Sequence, residues 1–245
     1  EKRLRFEAWK TASDRLSKDP SLLLYYDFEN SNSHPGFLSN RAPGAKPGSE
    51  GVLVGGDWTS GRWPQKQARR FYRAGDLIRA RPGVQLMEAT FLAWVLFENT
   101  HQDSPFAFML SPKVAPGQVY WLVWPTAFSH AAAPMVSLVK TAAKGRDIHY
   151  PELATFSRPV QGRWMHLAVV HDPSSQRVRL YSNGVRVADH PMQISSPLDL
   201  EHVVFGNWGF NKEQRNFVGA MDEVAIFTRA LSDSEIAAHY AATRP

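Results

Sequence analysis

The feature that most constrains this chain is a succession of short β-prone runs, with helical patterns only near its two ends. Residues 89–97 give the strongest run, and its two alternating faces are both apolar, which predicts a central strand covered on both sides. Asn183-Gly184 lies between two further runs and predicts a tight hairpin, because both turn residues need positive φ. Since helices and strands do not alternate, the pattern predicts an all-β, two-sheet antiparallel sandwich.

The two helical patterns frame this sandwich. Phe6, Trp9 and Leu16 recur at helical spacing within residues 3–17, which predicts a first helix. Its apolar stripe fits two readings, a helix that packs on the following domain or the tail of a longer linker. We therefore divide the chain into a helix or linker at 1–20 and a sandwich domain at 21–245. A capping box, Ser232-Asp233-Ser234-Glu235, predicts a short helix at the end of that domain.

Composition excludes several kinds of protein. The chain has 245 residues, of which 43% are hydrophobic and 12% aromatic, so it can form a substantial core. It contains no cysteine, which excludes disulfides, thiolate metal sites and cysteine nucleophiles. The sequence has no apolar run long enough to predict a membrane span. Because it begins Glu1-Lys2-Arg3, without a methionine or a signal peptide, we expect a fragment or a processed product.

The charge of the chain is positive, at a formal +5, and the densest basic run is residues 66–73. Such a run can contact a polyanion such as an acidic polysaccharide, a lipid headgroup or a nucleic acid. It can equally be the solvated face of a strand whose Phe71 points inward, and this second reading is the usual one for a charged face. We predict no nucleic-acid partner.

The carboxylates do not form a recognisable catalytic pattern. A retaining glycosidase needs two carboxyl groups about 5 Å apart. Asp222 and Glu223 are adjacent, so regular strand alternation predicts that they point to opposite faces. Asp27 and Glu29 share a face but stand at a strand end. With no nucleophile elbow, zinc motif or phosphate loop in the sequence either, we predict a protein that is not an enzyme. A hydrolase whose carboxylates come from different strands stays as an alternative.

Five segments together resemble the laminin-G-like domains of the concanavalin A-like lectin and glucanase jelly rolls. In chain order they are residues 24–29, 90–95, 163–170, 178–185 and the closing segment 217–232. Their order and spacing agree with that family across residues 21–240, so the resemblance implies a jelly-roll sandwich with short N- and C-terminal helices. The first helix and the strand after it also resemble the C-terminal modules of bacterial FecR-type membrane-anchored regulators. That resemblance implies a periplasmic or extracellular, envelope-associated location.

The family resemblance also implies a metal. Related domains often hold a structural calcium between carboxylates of the first and last strands, and the matching positions here are Glu29, with Asp27 as a further candidate, and Asp222. Calcium takes six to eight oxygen ligands, so two carboxylates are only part of such a site. The alternative is that Asp222 accepts backbone N–H bonds and that Glu29 is solvated.

Aromatic residues give the binding hypothesis. Sugars stack on flat aromatic faces while their hydroxyl groups bind polar neighbours, and the predicted carbohydrate-binding residues are Tyr120, Trp121, Trp124 and Trp208. Trp58 and Trp63 are further candidates, and core packing is the alternative for any of them. We therefore predict a non-catalytic module that binds a polysaccharide or other glycan within a larger extracytoplasmic protein. The alternative is a structural module that contacts another domain of the same polypeptide.

Overall fold

The computed structural model describes residues 1–29, 35–98, 162–192, 197–206 and 217–245, together with the backbone of four strands between 108 and 150. In chain order its elements are α1 (Lys2–Leu16), β1 (Leu22–Tyr26), β2 (Phe37–Leu38), β3 (Gly51–Val54), β4 (Asp57–Ser60), β5 (Gln67–Phe71), β6 (Leu77–Ala80), β7 (Val84–Leu86), β8 (Ala89–Phe97), β9 (Phe108–Met109), β10 (Val119–Trp124), β11 (Met135–Lys140), β12 (Ile148–Tyr150), β13 (Trp164–Asp172), β14 (Arg177–Ser182), β15 (Val185–Pro191), β16 (Leu198–Leu200), β17 (Val203–Phe205), β18 (Gly219–Phe227) and α2 (Asp233–Thr243).

The strands form two sheets, which confirms the predicted all-β sandwich. The first sheet has the order β15-β14-β13-β8-β18-β5-β4, and β1 pairs with β18 beside it. The second has the order β12-β11-β10-β9-β17-β6-β3-β2, and β16 links β7 to β10. The pairings are antiparallel except for the parallel contact between β10 and β16. The closing strand β18 lies between β8 and β5, so the end of the chain pairs with its middle and, through β1, with its beginning.

The main core lies between the two sheets, because alternate residues of each strand point inward. Val95 and Leu167 of the first sheet pack with Ile78 and Phe205 of the second, and all four are buried. Phe71 is buried in the same core, so the inward-facing part of the prediction for residues 66–73 is confirmed.

Both helices cover the opposite, outer face of the first sheet. A second apolar cluster forms there from Tyr25, Leu92, Ala225 and Ile236, among others. Helix α1 also contacts α2, and Trp9 of α1 is buried. The first helix is therefore packed on the sandwich, as the first of the two readings predicted. Neither helix in the described residues has the length and apolar character that crossing a membrane requires.

Two strong local signals of the sequence, the hairpin turn and the helix capping box, formed as predicted. Asn183 and Gly184 both have positive φ and join β14 to β15. At the start of α2, the Ser232 side chain accepts from the backbone of Glu235 and the Glu235 side chain accepts from the backbone of Ser232, which confirms the capping box. The short strand β4 forms at the sheet edge by pairing with β5.

Candidate functional site

The outer face of the second sheet carries an open cleft, which we call the outer cleft. A cross-strand row forms its floor: Phe37 pairs with Val52, Val52 with Arg79, and Arg79 with Val204. Directly paired residues of a sheet lie on the same face. Their neighbours Ile78 and Phe205 are in the core, so alternation directs the row away from the core.

The outer cleft has a volume of about 660 Å³, within the range of small-molecule sites. Its apolar lining is accessible, since Phe37 is 48% exposed, Val52 40% and Val54 36%. Val204 is buried at the base. Apolar side chains that remain this exposed on a sheet face are typical of a surface that contacts a ligand or a partner.

Polar side chains stand around this apolar floor. Arg81 places its Nη2 3.3 Å from Nε2 of His202 at one side. A guanidinium can only donate, so Nε2 of His202 is the acceptor of this contact. Glu50 accepts the backbone N–H of Gly48 at 2.8 Å. The outer cleft therefore offers hydrogen-bond donors and an acceptor next to an aromatic ring.

None of these residues carries a sequence signal that predicts a binding site. Arg79 lies in a four-residue strand where only outward alternation marks it, and Arg81 and His202 are far apart in sequence. They meet because β6 pairs with β17, which is a long-range event. The half-exposed Phe37 follows a turn and pairs with β3 in a strand of only two residues.

The predicted carbohydrate-binding residues fall outside the described side chains. Tyr120, Trp121 and Trp124 belong to β10, of which the structure describes the backbone alone, and Trp208 lies outside the described residues. Strand β10 is in the same sheet as the outer cleft, separated from β17 by β9. The two further candidates are described. Trp63 is buried beside Trp9, and Trp58 is partly buried with the Arg69 guanidinium 5.2 Å from its ring centre.

The positions predicted to hold calcium instead surround a lysine ammonium. Nζ of Lys66 lies 2.7 Å from Oδ1 of Asp222 and 3.1 Å from Oε1 of Glu29, and it also donates to the carbonyl of Asp27. A cation of the chain thus sits between the two carboxylates. The residues present do not fit a calcium ion there, and no group of three or more metal-binding side chains occurs within the described ranges. Lys66 is also fully buried, so this part of the basic run is not a solvated face.

Arg62 binds both members of the acidic pair, contrary to the prediction that they point to opposite faces. Its Nε lies 3.0 Å from Oδ2 of Asp222, and its Nη2 donates to Oε2 of Glu223. The reason is a β-bulge: Glu223 has φ of +67° and the register shifts between Asp222 and Val224. Both carboxylates therefore face the helices, since a bulge places two residues opposite one.

We call Arg62, Lys66, Glu29, Asp222 and Glu223 the ion cluster. All but Glu29 are buried, and charges out of water are tolerated only when they are paired and hydrogen-bonded. Gly61 is needed for this packing, because an added Cβ would lie 2.8 Å from the Gln67 carbonyl and 2.9 Å from Oδ2 of Asp222.

Helix α1 covers the ion cluster on the side away from the sheet, and Tyr25 of β1 contacts the carboxylate of Glu223. Trp9 Nε1 donates to Oε1 of Glu223 at 3.1 Å, and the Tyr25 hydroxyl donates to the same oxygen at 2.6 Å. Burial alone raises the pKa of Glu223, but the Arg62 charge and other nearby groups, including the Tyr25 hydroxyl, lower it to about 2. Glu223 is thus a fixed anion that binds α1 to β18.

Two histidines, His166 of β13 and His239 of α2, meet beside this cluster. Nε2 of His166 is 3.0 Å from Nδ1 of His239, so one ring donates and the other accepts. Burial lowers the pKa of His166 well below its usual value. Burial also lowers the pKa of His239 to about 4, although the Glu223 carboxylate opposes the shift. Both rings are therefore neutral at pH 7.

The sequence of the middle and end of the chain decides the family. Residues 74–237, more than half of the chain, match the family described as the concanavalin A-like lectin/glucanases superfamily. The chain belongs to this superfamily. No curated protein sequence matches it. As a member of the concanavalin A-like lectin/glucanases, it shares its fold with several solved binding domains, and at the identities observed the likeness extends to the fold alone.

Three of these solved structures illustrate the kinds of domain that share this fold. Domain 4 of AbnA, an extracellular GH43 arabinanase from Geobacillus stearothermophilus, was solved with arabinotriose; it is 18% identical, with a TM-score of 0.58 over 90% of this chain and 98% of that one. The binding domain of Paraclostridial mosquitocidal protein 1 is 12% identical, with a TM-score of 0.63 over 94% and 52%. The botulinum neurotoxin serotype G binding domain is 13% identical, with a TM-score of 0.60 over 89% and 50%. The chain spans about half the length of the toxin domains.

Proposed function

We propose that the chain is a non-catalytic carbohydrate-binding module and that the outer cleft is its binding site. The observation that carries the proposal is the half-exposed ring of Phe37 beside the polar groups of Arg79, Arg81 and Glu50 in one open cleft. A sugar presents C–H groups on one face and hydroxyl groups around its edge. An aromatic surface next to charged donors and an acceptor suits both kinds of group.

Strand β10, which carries three of the predicted carbohydrate-binding residues, lies in the same sheet as the outer cleft. Val204 pairs with Met109, and Met109 pairs with Leu122. In our proposal Tyr120, Trp121, Trp124 and Trp208 stay predictions from the sequence.

The comparison with AbnA supports a glycan as the ligand, because domain 4 of that enzyme was solved with arabinotriose. The other solved relatives named above are binding domains of toxins, which supports a binding role in general. In line with the resemblance of its first helix, we propose that the module works in the periplasm or outside the cell as part of a larger protein.

We propose a non-catalytic module because of where its carboxylates lie. Asp222 and Glu223 are buried beneath α1 and bound by Arg62 and Lys66, so a substrate has no access to them. Glu50 is the one carboxylate among the described residues that line the outer cleft. Glycoside hydrolysis generally requires two.

A protein-interaction module is the second candidate. It is favoured by the adjacent exposed side chains of Phe37, Val52 and Val54, which form a single apolar surface. A partner protein would bury this surface without any need for sugar hydroxyl groups. Binding to glycans and binding to a partner domain can therefore be separated experimentally.

Glycan-array screening followed by titration calorimetry tests the proposal. We expect Phe37→Ala to weaken glycan binding at least about tenfold, because it removes the stacking surface, which corresponds to about 1.4 kcal/mol. Val185→Ala is the matched control, since Val185 is an exposed apolar residue of β15 in the first sheet. A folded protein that binds no glycan, or a Phe37→Ala variant that binds as well as the control, contradicts the proposal.

A further inference from the structure

The outer cleft contains a cation that has no partner among the described residues. Arg79 is exposed and lies between Val52 and Val204 in the cross-strand row. Within the described residues it makes no hydrogen bond and no ion pair. Its position on a regular strand fixes its Cα, while the guanidinium remains free to meet a ligand.

Other strand arginines of the described chain behave differently. Arg70 binds Glu98 through two nitrogens, Arg177 binds Asp189, and Arg179 binds Asp172. Arg69 donates to the backbone carbonyls of Gly55 and Gly56. Each of these guanidinium groups has an acceptor within the described protein. Arg79 differs from them, because its donors are available to a ligand.

The surroundings of Arg79 favour a negative group. Arg81 adds a second positive charge at the side of the outer cleft, and Glu50 is the single carboxylate among its described lining residues. The side chains next to Arg79, among them Val52, Val54 and Phe37, are apolar and offer its guanidinium no acceptor.

We propose that the ligand of the outer cleft is an acidic saccharide whose oxyanion, a uronate carboxylate or a sulfate ester, is bound by Arg79 while Phe37 stacks on the sugar ring. This inference rests on the proposed function and narrows its ligand class. The planar guanidinium matches a carboxylate or sulfate through two parallel N–H···O bonds. Arg81 adds long-range attraction that salt screens.

Calorimetry with three matched oligosaccharides tests the inference on the 245-residue chain. One carries uronate carboxylates, the second is its carboxyl-reduced neutral counterpart, and the third is the sulfate ester of the neutral compound. We expect at least one anionic compound to bind about tenfold tighter than the neutral one at low salt. The carboxylate and sulfate arms identify which oxyanion the cleft takes. We expect the preference to shrink as sodium chloride is added.

Variants assign the preference to Arg79. Arg79→Gln should abolish the difference between acidic and neutral compounds, and Arg79→Lys should keep part of it, because lysine retains the charge but not the planar fork. Arg3→Gln removes the same charge from an exposed position on α1 and should leave the preference unchanged. Thermal melting confirms that each variant is folded.

The possible failures are distinguishable. Equal affinity for acidic and neutral compounds, or an acidic preference that survives Arg79→Gln, overturns the inference and leaves carbohydrate binding standing. A preference that Arg3→Gln reduces as much as Arg79→Gln shows a general effect of net charge and also overturns it. Binding of none of the three, nor of any arrayed glycan, overturns the proposed function as well.

Discussion

The outer faces of the two sheets differ in what covers them. On the first sheet, α1 and α2 bury an apolar cluster and seal the ion cluster, where the side chains of Arg62, Lys66 and Asp222 have no exposure. On the second sheet, the row through Phe37, Val52 and Arg79 faces an open cleft. The charged groups of the ion cluster are paired within the fold, whereas Arg79 on the second face has no hydrogen bond or ion pair among the described residues.

The largest effect should come from removing a charge on the covered face. Arg62→Met leaves Asp222 and Glu223 buried without their guanidinium, and we expect a loss of about 3–5 kcal/mol in the free energy of unfolding. Chemical denaturation measures it. Arg70→Met, which breaks an exposed pair with Glu98, should cost about 1 kcal/mol or less. Similar losses for the two variants would show that the ion cluster is not sealed.

Two aromatic truncations compare the faces directly. Trp9→Ala removes a buried ring and a hydrogen bond to Glu223, so we expect a loss of about 3–5 kcal/mol in unfolding free energy. Phe37→Ala, on the open face, should cost about 1 kcal/mol or less in stability while it weakens ligand binding. A Trp9→Ala variant as stable as Phe37→Ala would mean that α1 is not part of the folded domain.

Stability should fall as the pH is lowered below about 6.5. The folded pKa of His239 is lowered to about 4 and that of His166 is also lowered, so the unfolded chain binds more protons in this range. On the order of 2 kcal/mol should be lost by pH 5 from His239 alone. Denaturation at pH 7.5 and 5 measures the difference.

A matched pair of histidine variants locates this pH dependence. His239→Leu should make the stability profile less steep between pH 7.5 and 5, because leucine cannot be protonated, while the contribution of His166 remains. His202→Gln, at the side of the outer cleft, should leave the profile as steep as in the unmodified chain. A profile that His239→Leu does not flatten would assign the loss to other groups.

The smallest effect is expected from calcium. Since the Lys66 ammonium lies between Glu29 and Asp222, neither added calcium nor a chelator should move the midpoint of thermal unfolding. Differential scanning calorimetry with and without each reagent measures this. A rise with calcium that the chelator reverses would show that the ion binds in spite of Lys66, or binds elsewhere.

Much of the fold could be predicted because its signals are local. The alternation in 89–97, the Asn183-Gly184 turn and the capping box at Ser232 each act over a few residues, and each formed as predicted. The outer cleft could not be predicted from the sequence in the same way. The outer cleft needs β6 to pair with both β3 and β17, and no short motif encodes that pairing. The bulge at Glu223 likewise reversed the predicted direction of a carboxylate, because one positive φ breaks the period of two.

By itself the sequence determined the class of fold, the helices at both ends and the superfamily, since periodicity, turn residues and matching segments are properties of the chain order. Only the tertiary structure decided what the charges do. Lys66 opens the basic run at 66–73 and Arg62 precedes that run, yet the sandwich buries both against Asp222. Arg79 looks no different in the sequence, and it stays exposed because the helices cover the other sheet. Burial and pairing depend on contacts between residues far apart in sequence, so only the tertiary structure distinguishes the buried, paired cations from the exposed one.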